Sequence, residues 1–358
     1  MRRERGGPVT RTCCYTSFTY AYLSRARVLC DSLRSTHPDW PIHAVVVDEP
    51  PPGVDPAAAL ACFDGVIPLA ELGIPRLRAW LFKHDVVEAC TAVKGHALLH
   101  LQEHYDKVVY FDPDIALFHP LDDLDALLDQ HSVVLTPHQL DANEAPVAVA
   151  DNELTSLRYG VFNLGFLAVR SDPEGRRFAR WWAAQLHRAC YDEVESGIFT
   201  DQKYCDLVPA LFERVHVHRD PGCNVASWNL SRRTLRIGRD GTITANNVAL
   251  KFYHFTKIGT AGDAMVRRYA GPNLAAFEIW EWYRRQIATA PDAPGSDTPW
   301  HYGHFGDARP IPKPLRLLYR SRADLLAAFD DPFRAGPGSY LDWVRSEHPD
   351  LLLPRAAA

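Results

Sequence analysis

Hydrophobic positions in this chain fall into short unbroken runs separated by stretches with helical spacing. Thr12-Cys-Cys-Tyr-Thr-Ser17 reads as a first strand and loop. Tyr22, Ala26, Leu29 and Leu33 then fall at i, i+4, i+7 and i+11, one face of an amphipathic helix, and Ile42-His-Ala-Val-Val-Val47 is the next strand. Strand, helix and strand at this spacing predict a βαβ unit with a right-handed crossover. A third short strand is expected from Phe63 to Leu69, followed by helices through roughly 75–105. The most telling run, Val108-Val-Tyr-Phe, stops at Asp112-Pro-Asp114 and turns apolar again through Ile115 to Phe118. A short continuous apolar run bounded by a turn reads as a strand buried on both faces, as in the middle of a parallel sheet.

Beyond it, Pro120-Leu-Asp-Asp-Leu-Asp125 opens a helix, where Asp123 and Asp125 would cap and oppose the dipole. Ser132 to His138 is another strand, and residues 139–158 are polar and loop-like, long enough for a substrate-binding segment. Tyr159 to Val169 reads as a strand entered through glycine. Asp172-Pro173 starts a strong helix with Phe178, Trp182 and Leu186 on one face, a core stripe rather than a stacking platform. Leu207 to Val217 is ambiguous between strand and helix, Asn224 to Asn229 is compatible with a binding loop, and Ala249 to Phe255 is a strand with His254 near its far end. Residues 287–300 carry the clearest linker composition. After them come a helix near 314–330, a Gly-Pro-Gly break at 336–338 and a short helix to about 347. The pattern predicts an α/β fold, a mixed sheet flanked by helices with a mostly helical C-terminal extension. Its divisions are a disordered arm over 1–10, a main domain over 11–286, a linker over 287–300 and the extension over 301–358.

Composition narrows the function classes. The chain has 358 residues, 47% hydrophobic and 23% charged, ample for a large core, and its net charge of −5 argues against a basic nucleic-acid footprint. The eight cysteines form no CxxC pair and lie in apolar contexts, so they read as buried reduced thiols and imply a cytoplasmic location. The basic start, Met1-Arg-Arg-Glu-Arg, leads into no apolar segment of signal-peptide type, and no stretch of 18 apolar residues exists to span a membrane.

The candidate chemistry gathers at strand ends. In an open α/β sheet, ligands collect outside the carboxyl ends of the strands. Asp112 and Asp114, with Pro113 stiffening the backbone between them, form a hard-oxygen site for a divalent cation shared with phosphate oxygens. Thr16, Ser17 and Asp48 sit where a base and ribose would lie, although Asp48 also fits a turn-forming role. Lys94 either reaches a diphosphate or is a solvated surface charge. Asn163, an amide in an apolar run, needs partners, either sugar hydroxyls or an internal turn bond, and Gly165 fits close approach of a ligand or neighbouring backbone. His254 is either a satisfied core histidine or a ligand. These residues point to a metal-dependent enzyme acting on a nucleotide-linked substrate.

Taken in order, the set resembles the GT-A fold glycosyltransferases, in particular glycosyltransferase family 8 and related bacterial enzymes of polysaccharide biosynthesis. Ser17 with the helix Arg27 to Arg34 resembles the family's nucleotide-binding opening. Ala92-Val-Lys94 resembles its A-x-K segment, Asp112-Pro-Asp114 its DxD motif, and Asn163-Leu-Gly165 its N-x-G. Asp201-Gln202 resembles its DQ pair, and Tyr253-His254-Phe255 the strand carrying a third metal ligand. The resemblance covers roughly residues 11–260. It implies a metal site of Asp112, Asp114 and His254, where mixed carboxylate and imidazole ligands favour Mn²⁺ slightly over Mg²⁺. It also implies donor contacts from Ser17, Lys94 and Asp112, beside the Thr16 and Asp48 of the strand ends, with Lys257 in a diphosphate-binding role at a shifted spacing. Asp201, Gln202 and Asn163 would form the catalytic group, Asp201 and Asn163 binding donor hydroxyls. The implied activity is transfer of a hexose from a nucleotide sugar, UDP-sugar favoured, with retention. No general base stands out, so inversion stays open. Gln202 is followed by Lys-Tyr-Cys where family 8 has Asp-x-Leu-Asn, which leaves the donor's base and sugar open. The acceptor, a saccharide, lipid-linked saccharide, small molecule or protein, is also open.

Two rival classes share these features. A haloacid dehalogenase-type phosphatase also places Asp-x-Asp at a strand end, but has it near the N-terminus, with Thr or Val two residues after the second Asp, where this chain has Ala116. A non-catalytic sugar-nucleotide-binding module would bind donor without turning it over.

Overall fold

The computed structural model describes residues 11–290, 293–295 and 297–352. The expected arm over 1–10 lies outside the described residues.

Nearly every expected element forms. The first unit is β1 (Thr12–Phe18), α1 (Leu23–Thr36) and β2 (Ile42–Val46), with Ala26, Leu29 and Leu33 buried as their spacing requires. Tyr22 falls just before α1 and stays substantially exposed. The third strand is much shorter than expected, only β3 (Gly65–Val66). Two helices follow, α2 (Leu77–Phe82) and α3 (Val86–Gln102). Asp85 caps α3 through the amides of Val87 and Glu88, and Glu88 reaches back to the Asp85 amide, a reciprocal box.

The apolar run around Asp112 is two strands. β4 (Lys107–Phe111) is buried throughout, and β5 (Ile115–Leu117) leaves for another sheet. Next come α4 (Leu124–Gln130), β6 (Val133–Pro137), β7 (Phe162–Arg170) and α5 (Pro173–Ala189), then β8 (Val215–Val217), β9 (Val225–Ala226) and β10 (Phe252–His254). The main sheet runs β8-β6-β7-β4-β1-β2-β3, and a smaller one β9-β10-β5. β4 pairs parallel with β1 but antiparallel with β7, which also runs antiparallel to β6. The central strand therefore lies in a mixed sheet. Helices cover both faces: α3 and α5 pack with Tyr15, Val108 and Tyr110, while α1 and α4 pack with Cys14, Val109 and Phe111.

Two local expectations change. Asp123 stands at the N-cap of α4 and Asp125 in its first turn, as expected, but the Asp123 side chain makes no capping hydrogen bond. Asp123 pairs with Lys251 at 2.7 Å and Asp125 with buried Lys107 at 3.1 Å, because burying those ammonium groups demands counter-charges. Residues 139–158, expected as a loop, are helical from Pro146 onward, with one π-type turn over Val149–Leu154. Their polar residues line a cleft, which is why they lack an ordinary buried stripe.

After β10 come α6 (Ala261–Tyr269) and α7 (Leu274–Ala288). Part of the expected linker, residues 291, 292 and 296, lies outside the described residues; its end, Trp300, is tied to the residue after β2 by an indole hydrogen bond to Val47 O at 2.7 Å. The extension forms α8 (Lys313–Ser321), α9 (Ala323–Ala328) and α10 (Tyr340–Glu347). It shares the main core. Phe82 of α2 meets Phe305, Tyr319, Phe333 and Tyr340 at centroid distances of 6.0, 5.1, 5.0 and 5.4 Å. Among the described residues no helix is long and apolar enough to cross a membrane, and all eight cysteines are free.

Candidate active site and metal centre

Strand register brings the distant motifs together. β4 pairs with β7 so that Phe111 faces Phe166, and the amide of the next residue, Asp112, donates to Gly165 O at 2.8 Å. β5 pairs with β10 so that Ile115 faces His254, and Phe255 N donates to Asp114 O at 2.8 Å. The Asp112-Pro113-Asp114 turn is thus held between Gly165 on one side and His254 on the other.

Ligand atoms of Asp112, Asp114 and His254 lie within 4.8 Å of one another. His254 Nε2 is 3.0 Å from Asp114 Oδ1 and 3.6 Å from Asp112 Oδ2. Its other nitrogen, Nδ1, lies 3.1 Å from Asn163 Oδ1, an acceptor, so Nδ1 carries a proton and Nε2 is the nitrogen turned toward the two carboxylates. Asp112 is similarly divided. Its Oδ1 accepts from Lys94 Nζ at 3.0 Å and Tyr110 Oη at 2.7 Å, leaving Oδ2 directed toward the histidine. These residues fit a divalent cation of the Mn²⁺ or Mg²⁺ kind. Burial by itself would lower the His254 pKa, but Asp114 and Asp112 outweigh it and the value is raised. Burial would raise Asp114, but His254 outweighs it and holds the carboxyl below its ordinary value.

Lys94 lies in the middle of α3, not at its start, and is only 2% exposed. The solvated-charge reading is therefore excluded. Its ammonium pairs with Asp112 at 3.0 Å and Asp201 at 2.8 Å, and donates to Leu164 O at 3.1 Å. Burial would lower its pKa, but the two carboxylates raise it. Asp201 is 3% exposed; burial raises its pKa and Lys94 only partly offsets this. The preceding residue, Thr200, has φ of 44°, a strained setting for a β-branched residue, and its hydroxyl donates to Asp201 Oδ1 at 3.2 Å.

The remaining sequence candidates divide. Asn163 lines the cleft, but its carbonyl is committed to His254 and to the Gly165 amide at 3.3 Å. Gly165 answers to close approach by a side chain: a Cβ there would stand 2.5 Å from His254 Cε1. Gln202 Nε2 is tied to Tyr159 O at 3.0 Å, and Lys257 lines the cleft from the loop after β10. Ser17 donates to Cys90 O at 2.7 Å on a pocket wall. Thr16 is fully buried in β1, with no hydrogen-bond partner for its hydroxyl among the described residues. Asp48 accepts from the amides of His301 at 2.9 Å, Glu49 at 3.0 Å and Tyr20 at 3.3 Å. Its burial pushes its pKa up to about 6.

The cluster sits at the seam of two cavities. One, of about 390 Å³, is lined by Ser17, Tyr22, Cys90, Tyr110 and Trp300. The other, of about 500 Å³, is lined by Asn163, Asp201, Gln202, Trp228 and Lys257. Thr91, Lys94, Asp112 and Asp114 belong to both. Sequence reasoning missed Tyr110, whose place in the apolar run hid a polar tip, and did not single out Trp228, whose ring meets His254 edge-on at 5.3 Å. His218, Asp220 and Cys223 form a second group with ligand-like spacing. There Lys251 already pairs with Asp220 at 3.0 Å and neutralises the position.

No protein-family model matches the chain. It is similar to two proteins of Bacillus subtilis (strain 168), both described only as uncharacterized. Identity to YfnF is 25% over 245 residues, 65% of this chain and 77% of YfnF. Identity to YfnD is 27% over 196 residues, 53% of this chain and 60% of YfnD. Among solved structures, the galactosyltransferase LgtC in complex with donor and acceptor sugar analogs overlaps 79% of this chain and 97% of its own, with a TM-score of 0.47 and 16% identity. Mouse xyloside xylosyltransferase 1 in its apo form overlaps 70% and 99%, with a TM-score of 0.41 and 14% identity. With TM-scores below 0.5, neither overlap carries an argument about this chain.

Proposed function

We propose that the chain is a divalent-metal-dependent glycosyltransferase of the GT-A kind. It would transfer a hexose from a nucleoside diphosphate sugar, UDP-sugar favoured, to an acceptor that the site does not name. One observation carries the reading. Asp112 and Asp114 stand at the seam between the two cavities and Asp201 in the larger one, and Lys94 is the ammonium paired with Asp112 and Asp201. Once a cation replaces the proton at His254 Nε2, these groups carry two negative charges, the balance a divalent cation supplies, where a diphosphate would pass from one cavity to the other.

The residues then take distinct tasks. The smaller cavity would take the nucleoside and the larger the hexose and acceptor, within the usual range for small-molecule sites. Lys94 and Tyr110 hold one oxygen of Asp112 inward, and Asn163 fixes the His254 tautomer; both act by positioning ligands. A cation bound there would act as a Lewis acid toward the departing diphosphate. Lys257 adds positive charge from the loop after β10. Asp201 sits where it can accept donor hydroxyls and orient the anomeric carbon. Retention is carried over from the motif resemblance.

The test is a panel of nucleotide sugars assayed for hydrolysis and transfer with Mn²⁺, Mg²⁺ or excess chelator. Metal-dependent release of a nucleoside diphosphate from one donor supports the reading. Phosphate release from p-nitrophenyl phosphate with no sugar-nucleotide turnover would favour the phosphatase class, and calorimetric donor binding without turnover the binding module.

A further inference from the structure

One wall of the nucleoside-sized cavity comes from outside the ordered motifs. Thr298 and Trp300, from the C-terminal part of the chain, line it together with Ser17, Tyr22 and Tyr110. Trp300 is not a loose flap. Its indole nitrogen donates to Val47 O at 2.7 Å, the next amide, His301 N, donates to Asp48 Oδ1 at 2.9 Å, and Tyr302 Oη donates to Glu49 Oε1 at 2.8 Å. The guanidinium carbon of Arg316, in α8, lies 5.2 Å from the Trp300 ring centroid, and an Arg316 nitrogen donates to Tyr302 O.

Val47, Asp48 and Glu49 directly follow β2, at the sheet end where ligands of α/β folds collect. Asp48 also accepts from Tyr20 N, so its carboxylate bridges the loop after β1 to the extension. Both its oxygens are engaged by backbone amides, which leaves Asp48 to set the position of Trp300 instead of binding a ribose. Trp300 remains half-buried and presents an aromatic surface to a cavity of about 390 Å³. Such surfaces hold bases by stacking.

We propose that Trp300 is a nucleobase-contacting residue of the donor pocket and that Asp48 is its positioning residue, so that the C-terminal extension takes part in choosing the donor's base. The inference rests on the nucleotide-sugar reading above and deepens it.

The test is calorimetry on the full chain with Mn²⁺ and either pyrophosphate, which has no base, or the tightest binder among UDP, GDP, ADP and CDP. Trp300→Ala is expected to weaken nucleoside diphosphate binding about ten- to a hundredfold while pyrophosphate changes by less than about twofold. Trp300→Phe should restore most of the affinity, and Asp48→Asn should show a smaller loss with the same selectivity. Unchanged nucleoside diphosphate binding by Trp300→Ala, or equal losses for both ligands, overturns the inference; equal losses identify a merely structural brace. Wild-type protein that binds no nucleoside diphosphate overturns the nucleotide-sugar reading as well. Wild-type binding with an unaffected Trp300→Ala variant overturns this inference alone.

Discussion

Replacing Gly165 by alanine adds one methyl group where the backbone passes close to the candidate metal site. The backbone tolerates it, since Gly165 lies within β7 and has no left-handed φ. The neighbours do not. The new Cβ would stand 2.5 Å from His254 Cε1, 2.7 Å from His254 Nδ1 and 2.8 Å from Asn163 Oδ1. Ordinary carbon contacts are about 3.5–4.0 Å, so the ring must give by roughly 1 Å. It is held by Asn163 at 3.1 Å and Asp114 at 3.0 Å, so movement away from the methyl breaks one of these or turns Nε2 off the carboxylates. Overpacking of this kind costs about 1–3 kcal/mol of stability. Loss of an orienting partner costs about 10–100-fold in metal affinity. The assay is Mn²⁺ titration followed by electron paramagnetic resonance of the free ion, beside a thermal melt. Gly165→Ala should fold, melt a few degrees lower and bind Mn²⁺ at least tenfold more weakly. Wild-type Mn²⁺ affinity in that variant would refute the placement of His254 as an oriented ligand.

Other consequences follow from the same charges. Asp114→Asn should lower metal-dependent turnover on the order of a hundredfold or more, the scale of losing one electrostatic stabiliser, and full activity in excess chelator would contradict the account. Lys94→Met leaves Asp201 buried without its counter-charge and should cost about 3–5 kcal/mol at pH 7, measured by denaturant unfolding. That deficit should shrink as pH falls and Asp201 takes up a proton; a deficit independent of pH would mean the pairing is misread. Asp48 supplies a pH signature of its own. Its folded pKa is pushed up to about 6, so between the unfolded value and pH 6 the native state binds the extra proton. The Asp48 contribution to stability should be greatest below this window and fall as pH rises through it, by roughly 3 kcal/mol. Asp48→Asn should flatten that slope, and an unchanged slope assigns the effect elsewhere.

The alternation of apolar runs and helical stripes was enough to read the order of elements, because burial enforces those periods locally. It did not reveal that the run through Asp112 divides between two sheets. That depends on β5 finding β10 more than a hundred residues later, a pairing with no local signature. The same non-local register is why His254 was ambiguous in isolation. Lys94 was open between a diphosphate contact and a surface charge because nothing adjacent in sequence announces its partners, Asp112 and Asp201. Polar residues of 139–158 suggested a loop since the helical part, from Pro146 onward, turns a polar face toward a cleft, reversing the usual amphipathic sign. Asp48 was open between a place near a base and ribose and a turn-forming role, and only the fold shows the amide of His301 arriving at it.

The central claim is a cation held by Asp112, Asp114 and His254 and shared with a donor's diphosphate. Diffraction from crystals grown with Mn²⁺ and a nucleoside diphosphate, collected at the manganese absorption edge, tests it most directly. The account predicts one anomalous peak within about 2.5 Å of Asp112 Oδ2, an Asp114 oxygen and His254 Nε2, with diphosphate oxygens completing the shell. Nucleotide bound with no peak at these atoms, or with manganese held elsewhere, would contradict it.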